Sequence, residues 1–531
     1  MGEADPHGVG ASAGDGSPRW RATAAGAGGD PWLVAALTLL AAATRLVHLG
    51  TTPLWTDEAF SLWMAKHSLP AIWRWTERLD AHPPLYYMLL HVWLAFGDRE
   101  APVRMLSVAA GTLTIPAAYL FGRATGGRRV GVVTALLLAV SPFHIWYSQE
   151  ARMYPLLMLA ATIALLGLAL LLREPPPRGA WTLYVAGMTA ALWTEHSAAL
   201  LLGTANLILL LRRPPHLASG FARRWAVAQA LVVALWSPAL LMLLRQLTAA
   251  NAGPTSLNMW GAIASLLPDA FSPLFGIRPD PPAGMRLGVT ALALCVTVPL
   301  IVRGLLDRGR NHHCTPLIVI MWALPVTCAV LLGLVWLPVL TPATLTAGYR
   351  TLMWTALAPY LLIAGGLLTL RPRSARIGAV ILLLVSGLAG LGVYYRTGPK
   401  WEAWDAAARS VAGRAAAGDV ILFDDNLVQL PFDYYFHRYA LRVAEHGIPR
   451  DFPAGGGREP QATAADLSRL GEQVRPYRRV WLIYSHEWWT DPHRLVPDVL
   501  ARTGALVDEQ TFAGLPWIRV YLFIIGTNDD N

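Results

Sequence analysis

A polytopic α-helical membrane protein carrying a small soluble α/β domain at its C-terminal end is the fold class this sequence predicts, and three observations predict it. Only 15% of the 531 residues are charged while 54% are hydrophobic, too apolar a balance for water-soluble cores to absorb. Apolar stretches near the ~20 residues needed to cross hydrocarbon recur from Trp32 to Tyr395, each bounded by Arg, Pro or Gly. Beyond Tyr395 the pattern turns polar and mixed. The chain therefore divides into residues 1–30, 31–395 and 396–531.

Residues 1–30 are rich in Gly and Ala with no apolar core, which predicts a disordered cytoplasmic leader and not a cleaved signal peptide. Hydropathy then predicts about eleven spans: 32–49, 101–121, 130–146, 153–172, 181–193, 198–211, 225–244, 287–302, 317–337, 351–370 and 377–394. Segment 82–96 is apolar but short and contains Pro83, Pro84 and His91. If it does not cross, alternate loops collect Arg123, Arg128 and Arg129, then Arg173 and Arg178, and so on to Arg371, Arg373 and Arg376. That assigns one consistent cytoplasmic face, so 82–96 is expected to lie at the membrane surface. The N-terminus is then cytoplasmic and the C-terminal domain extracytoplasmic.

The formal charge of +9 does not indicate nucleic acid, because the arginines sit in short clusters between spans and not along one basic face. Cys295, Cys314 and Cys328 all lie in or beside spans, so no disulfide framework is expected. The outward face gathers a long loop, 50–100, a second, 246–285, and the whole C-terminal domain. Trp55, Trp63, Trp73 and Trp75 favour a helix lying at the interface in the first of these.

Chemistry could assemble there. Thr56 is placed to cap a helix whose first turn holds Asp57 and Glu58, a common capping arrangement taken alone. Asp80 and His82 stand just before a Pro-Pro helix start followed by Tyr86 and Tyr87. Glu150, Arg152 and Tyr154 lie at the outer end of a span, where polar groups are costly unless they pair or act. His196 and Arg350 are further polar residues at outer helix ends, where capping or snorkelling would also account for them.

Three of these motifs, Trp55-Thr56-Asp57-Glu58, His82-Pro83-Pro84-Leu85-Tyr86-Tyr87 and Tyr147-Ser148-Gln149-Glu150-Ala151-Arg152-Met153-Tyr154, resemble in that order the bacterial family 39 branch of the GT-C glycosyltransferases. Segment 349–363 resembles the family's arginine-tyrosine opening of a late span with the two residues reversed. The resemblance implies a multi-helix fold whose outward first loop carries a catalytic Asp, with a polyprenyl-phosphate sugar as donor. On this sequence Asp57 takes the catalytic place, Glu58 its partner position, and Glu150 with Arg152 the third motif.

Transfer of a sugar from a phosphate needs a base at the acceptor hydroxyl and cations at the departing phosphate. Asp57 is expected as base, Arg152 or Arg350 as phosphate partner and Glu150 as an orienting group, in a single displacement inverting the anomeric centre. Asp80, His82, Tyr86, Tyr87, Tyr154 and His196 complete the expected substrate-binding set. Asp80, His82 and nearby acids offer ligands to a divalent metal, but at no diagnostic spacing, so no obligatory metal or other cofactor is expected. The acceptor, whether glycan, lipid or protein, is left open, and a bacterial cytoplasmic membrane is the expected location. A ligase or polymerase of lipid-linked glycans, and a lipid-linked glycan flippase, are the alternatives, although no internal repeat supports the flippase.

In the C-terminal domain 401–416 has helical spacing, and 419–423, 479–484 and 517–525 read as strands. Gly455, Gly456 and Gly457 lack the strand-to-helix context of a phosphate loop. Asp424, Asp425, His437, His486 and Glu487 are expected as polar strand ends. The domain is expected to choose or position the acceptor.

Overall fold

The computed structural model describes residues 31–212, 220–249, 283–306, 318–321, 323–324, 348–397, 402–453, 462–514 and 517–525. Outside these lie the leader 1–30, most of loop 246–285, most of the expected span 317–337, Cys314, Cys328 and the glycine run 455–457.

The membrane part begins with α1 (Pro31–Leu46), followed by three short helices that fill the first long loop: α2 (Thr56–Ala65), α3 (Leu69–Leu79) and α4 (Leu85–Trp93). Nine residues rise only ~14 Å, so α4 cannot cross hydrocarbon. Then follow α5 (Glu100–Gly126), α6 (Arg128–Ala139), α7 (Pro142–Ser148), α8 (Tyr154–Leu171), α9 (Ala180–Thr194), α10 (Ala199–Arg212) and α11 (Phe221–Ala249). After them come α12 (Ala283–Leu306), α13 (Leu357–Thr369) and α14 (Arg373–Thr397). Among the described residues four helices, α5, α8, α11 and α14, are long and apolar enough to cross a membrane, or five if the bent pair α6 and α7 is one span. α1 and the apolar run of α13 fall short of that length.

The expected span 130–146 is not one straight helix: α6 and α7 meet at 60°. Pro142, the first residue of α7, brings no N–H to the ladder. The carbonyls left behind are taken by a buried arginine, Arg45 of α1, which donates to Ala139 O at 3.2 Å and Leu138 O at 3.4 Å. Tyr360 of α13 closes the break from the other side, its hydroxyl 2.7 Å from Ser141 Oγ. Backbone polar groups freed inside the membrane region are thus satisfied by side chains.

Helices α8 and α9 approach at paired glycines. A Cβ on Gly187 would stand 2.5 Å from the Ala164 nitrogen, and one on Gly167 would collide with the Tyr184 backbone. Small residues at such a crossing let two backbones touch. The opposite faces are apolar and outward: Val227, Leu231 and Leu235 on α11, and Ile377, Ile381 and Val385 on α14, are exposed at a spacing of four. Hydrocarbon is the solvent in which such stripes cost nothing.

The C-terminal domain is a five-stranded sheet in the order β2-β1-β3-β5-β4, from β1 (Val420–Phe423), β2 (Ala444–Gly447), β3 (Arg479–Tyr484), β4 (Gly504–Phe512) and β5 (Ile518–Ile525). β1 runs parallel to β2 and β3, whereas β5 is antiparallel to β3 and β4. Strand alternation splits its core in two. Ile421, Phe423, Trp481 and Val520 meet α15 (Trp404–Ala412) and α16 (Gln429–Phe436), while Val420, Leu422, Val480 and Phe523 meet α17 (Ala464–Val474) and α18 (Leu495–Thr503). The three expected strands are present; β2 and β4, whose residues are partly exposed and polar, were not foreseen.

Candidate active site

The three motifs converge at the start of α2. Thr56 is not the cap of this helix: Trp55 holds the N-cap place and Thr56 is the first helical residue. Asp57 follows it, buried, with its Oδ2 3.9 Å from the Arg152 guanidinium and 3.6 Å from that of Arg350. Arg152 precedes α8, and Arg350 lies in the short turn Gly348–Thr351 ahead of α13. The Tyr154 ring lies beneath both cations, 5.9 Å from the Arg152 guanidinium carbon and 5.4 Å from that of Arg350. Among the described residues its buried hydroxyl has no hydrogen-bond partner.

Glu58 points the other way. Both its oxygens face Arg104 of α5, which donates Nε–H to Oε1 at 2.7 Å and a terminal N–H to Oε2 at 2.6 Å. Oε1 also accepts the Ala151 N–H at 2.9 Å, so one buried carboxylate ties the first motif to the third. Arg104 spends its other N–H groups on Leu49 O, Thr52 O, Thr52 Oγ1 and Pro53 O. Such planar bidentate pairing fixes both partners in direction as well as distance.

The second motif joins through Tyr87, whose hydroxyl donates to Asp80 Oδ2 and accepts from Arg152 at 3.4 Å. Tyr86 hydrogen-bonds Ser107 Oγ at 2.8 Å, and Ser107 donates to Arg152 O at 2.9 Å. His82 Nδ1 lies 2.7 Å from Glu195 Oε2 at the end of α9, with its ring 6.3 Å from that of Tyr154. His196, half-buried, opens the next turn, and Ser197 donates to Thr351 O at 2.6 Å, fastening that turn beside Arg350. Glu150 accepts from Trp146 Nε1 at 2.6 Å.

Asp57, Arg152, Arg350, Tyr154, Tyr87 and Asp80 thus form one connected cluster, with His82 and Glu195 beside it. Sequence reasoning missed Arg104, Glu195 and Glu402 as parts of this neighbourhood. An arginine one turn inside the predicted span 101–121 was a usable signal for the first. Glu402, after the last span, accepts from the Thr56 N–H at 2.7 Å and the Thr56 hydroxyl at 2.6 Å.

Among the described residues the three acid or histidine side chains close enough to share a metal ion are Asp433, His437 and Glu445, with ligand atoms within 4.8 Å of one another; Asp80 and His82 belong to no such group. Burial and the neighbouring Glu445 carboxylate push Asp433 up to about 8. A cavity of about 930 Å³ opens between α2 and the C-terminal domain, lined by Leu62, Trp63, Lys66, Asp433, Tyr434 and His437.

Residues 81–251 match the model of the dolichyl-phosphate-mannose-protein mannosyltransferase family. No curated protein matches the chain. Among solved structures, the apo oligosaccharyltransferase of Archaeoglobus fulgidus is 12% identical at a TM-score of 0.51, covering 94% of this chain and 75% of its own. The same enzyme tethered to an acceptor peptide is 11% identical at 0.50, covering 94% and 74%. ArnT from Cupriavidus metallidurans bound to undecaprenyl phosphate is 13% identical at 0.47, covering 93% and 98%. At these identities the archaeal likeness shows the fold alone, while the family match, which spans the second and third motifs, agrees with the resemblance those two carry.

Proposed function

We propose that this GT-C-type membrane glycosyltransferase moves a sugar from a polyprenyl-phosphate donor to an acceptor hydroxyl on the outer face of a bacterial cytoplasmic membrane. The observation that carries the reading is one buried carboxylate, Asp57, between two guanidiniums above a tyrosine ring. The family matched over residues 81–251 is itself named for a lipid-phosphate sugar, which supports that donor class.

In this reading the donor phosphate draws Arg152 and Arg350 toward itself and leaves Asp57 to the acceptor. The acceptor oxygen attacks the anomeric carbon as its proton passes to Asp57. The bond from that carbon to the phosphate oxygen breaks, and its electron pair leaves with the lipid phosphate, whose charge the two arginines hold. One displacement inverts the anomeric centre. Glu58 and Glu150 act as positioning residues, the first by fixing α2 against Arg104 and Ala151, and the second by fixing Trp146. Asp80, Tyr87, His82 and His196 shape the donor side, and no obligatory metal takes part. About eleven spans, with those shorter than the bilayer thickness tilted or completed by their flanks, put the cluster and the C-terminal domain on the side opposite the arginine-rich loops.

The test is transfer from a panel of polyprenyl-phosphate monosaccharides in proteoliposomes. Asp57→Asn should lose on the order of 10²–10⁴-fold in turnover while remaining folded. Equal turnover in both proteins would remove Asp57 as base. Translocation of lipid-linked glycans with no transfer from any donor would replace the reading by the flippase.

A further inference from the structure

Helix α2 carries Asp57 in its first turn; its own Glu58 reaches back to the Trp55 N–H at 3.4 Å, but the Thr56 N–H is met from elsewhere. The first N–H groups of a helix have no partner within it and are ordinarily met by the N-cap side chain. Here that place is held by Trp55, which makes no side-chain cap hydrogen bond. The acceptor comes instead from Glu402, 346 residues later and just beyond the last membrane helix. Its Oε2 takes the Thr56 N–H at 2.7 Å, the Thr56 hydroxyl at 2.6 Å and the Trp404 Nε1–H at 2.5 Å. Glu402 is buried, and its Oε1 lies 3.8 Å from His486 Nε2. A carboxyl at a helix N-terminus, ionised or neutral, presents an oxygen to those donors, and the helix dipole favours the ionised form.

The same domain holds the loop at three more points. The Leu54 N–H donates to the Tyr435 hydroxyl at 2.7 Å. At the far end of the loop the Tyr434 hydroxyl donates to Asp98 O at 3.0 Å, and Arg438 pairs with Glu100 at 3.2 Å. Leu427 sits buried in the core of the membrane part, with Leu430 and Phe452 packed against it. Both ends of loop 50–100 are therefore fastened to the C-terminal domain.

We propose that Glu402 is a positioning residue for Asp57: by capping α2 from the second domain it fixes the residue preceding Asp57, and so sets where that carboxylate stands between Arg152 and Arg350. The proposal rests on the reading of Asp57 as base, and its consequence is that the soluble domain completes the reaction centre in addition to any part it plays with the acceptor.

The experiment uses the full-length purified chain. Hydrogen exchange of the amides in 54–60 is compared in wild type, Glu402→Ala, Glu402→Gln and Thr56→Val, alongside donor turnover and Asp57→Asn. Loss of a cap on a buried helix start should speed exchange there about tenfold in Glu402→Ala, on the scale of N-cap removals. Its kcat should fall by at least ~10-fold with the donor KM within ~2-fold, the signature of lost positioning without lost binding. Glu402→Gln, which keeps an acceptor oxygen, should recover most of both. Thr56→Val, a milder change from the other side, should raise exchange less and add little to Glu402→Ala. Exchange in 54–60 unchanged in Glu402→Ala overturns the proposal, whatever the turnover. Faster exchange combined with undiminished turnover of Asp57→Asn means that the cap stands and the base assignment falls. An inactive Asp57→Asn with unaltered exchange in Glu402→Ala means the reverse.

Discussion

Arg104 and Glu58 show how single residues carry the site's geometry. The pair is buried, bidentate and surrounded by backbone acceptors, so removing one member strands the other. Arg104→Ala is expected to cost about 3–5 kcal/mol in unfolding free energy in detergent, the range for breaking a buried pair. Arg104→Lys should restore only part of it, because a point charge cannot engage both Glu58 oxygens and the loop carbonyls together. Glu402 makes a different residue-scale prediction. Burial is the main cause that pushes its carboxyl up to about 7 from 4.5. A folded-state value raised above the unfolded one means that the folded protein binds the extra proton between those limits. The stability this gives is complete below about pH 4.5 and is lost as the pH rises through about 7. Relative to Glu402→Gln, wild type should therefore weaken by on the order of 3 kcal/mol across that interval, read from denaturation midpoints at stepped pH. A flat difference between the two proteins would mean that Glu402 does not titrate there.

Elements were legible in the sequence where their signal is local. The periodicity of the C-terminal strands, the turn residues around 80–84 and the shortness of 82–96 all yield to a reading of neighbours, whereas the grouping of Asp57 with Arg152, 95 residues apart, comes from the resemblance of their motifs to one family. What escaped depends on distant chain. Pro142 stood in plain view, but whether a proline kinks a span or breaks it depends on who satisfies the freed carbonyls, and that is Arg45 from another helix. Thr56 looked like a cap because the usual cap is local; the actual acceptor is hundreds of residues away. Edge strands β2 and β4 lack the continuous apolar run that marks β1, β3 and β5. At the same scale, the α8–α9 crossing predicts that Gly187→Leu forces the helices apart, costing about 1–3 kcal/mol or more as overpacking, measurable as a lowered thermal midpoint. The same change at Gly203, with nothing among the described residues within 4 Å of a Cβ, should be near neutral.

At the scale of the whole molecule, two surfaces face two solvents. The outward stripes of α11 and α14 are apolar although exposed, while the cavity between α2 and the C-terminal domain is rimmed by exposed charges, Lys66 and Asp98 of the first loop and Arg438 of the domain. Leu231→Arg, placed in the middle of the α11 stripe, should penalise membrane insertion by about 2.5–3.5 kcal/mol in a translocon assay. An equivalent change at an exposed strand position such as Leu506 should leave insertion untouched.

The fastening of loop 50–100 to the domain that follows it also orders events in time. Leu54 and Thr56 leave the ribosome 381 and 346 residues ahead of their partners Tyr435 and Glu402. At translation rates of ~5–20 residues per second, that delay is roughly 20–75 s. Throughout it the start of α2 waits for its cap. On the proposed reading, a nascent chain stalled before residue 402 lacks both of these fastenings and should turn over its lipid donor at least ~10-fold more slowly than the full chain, as expected of Glu402→Ala.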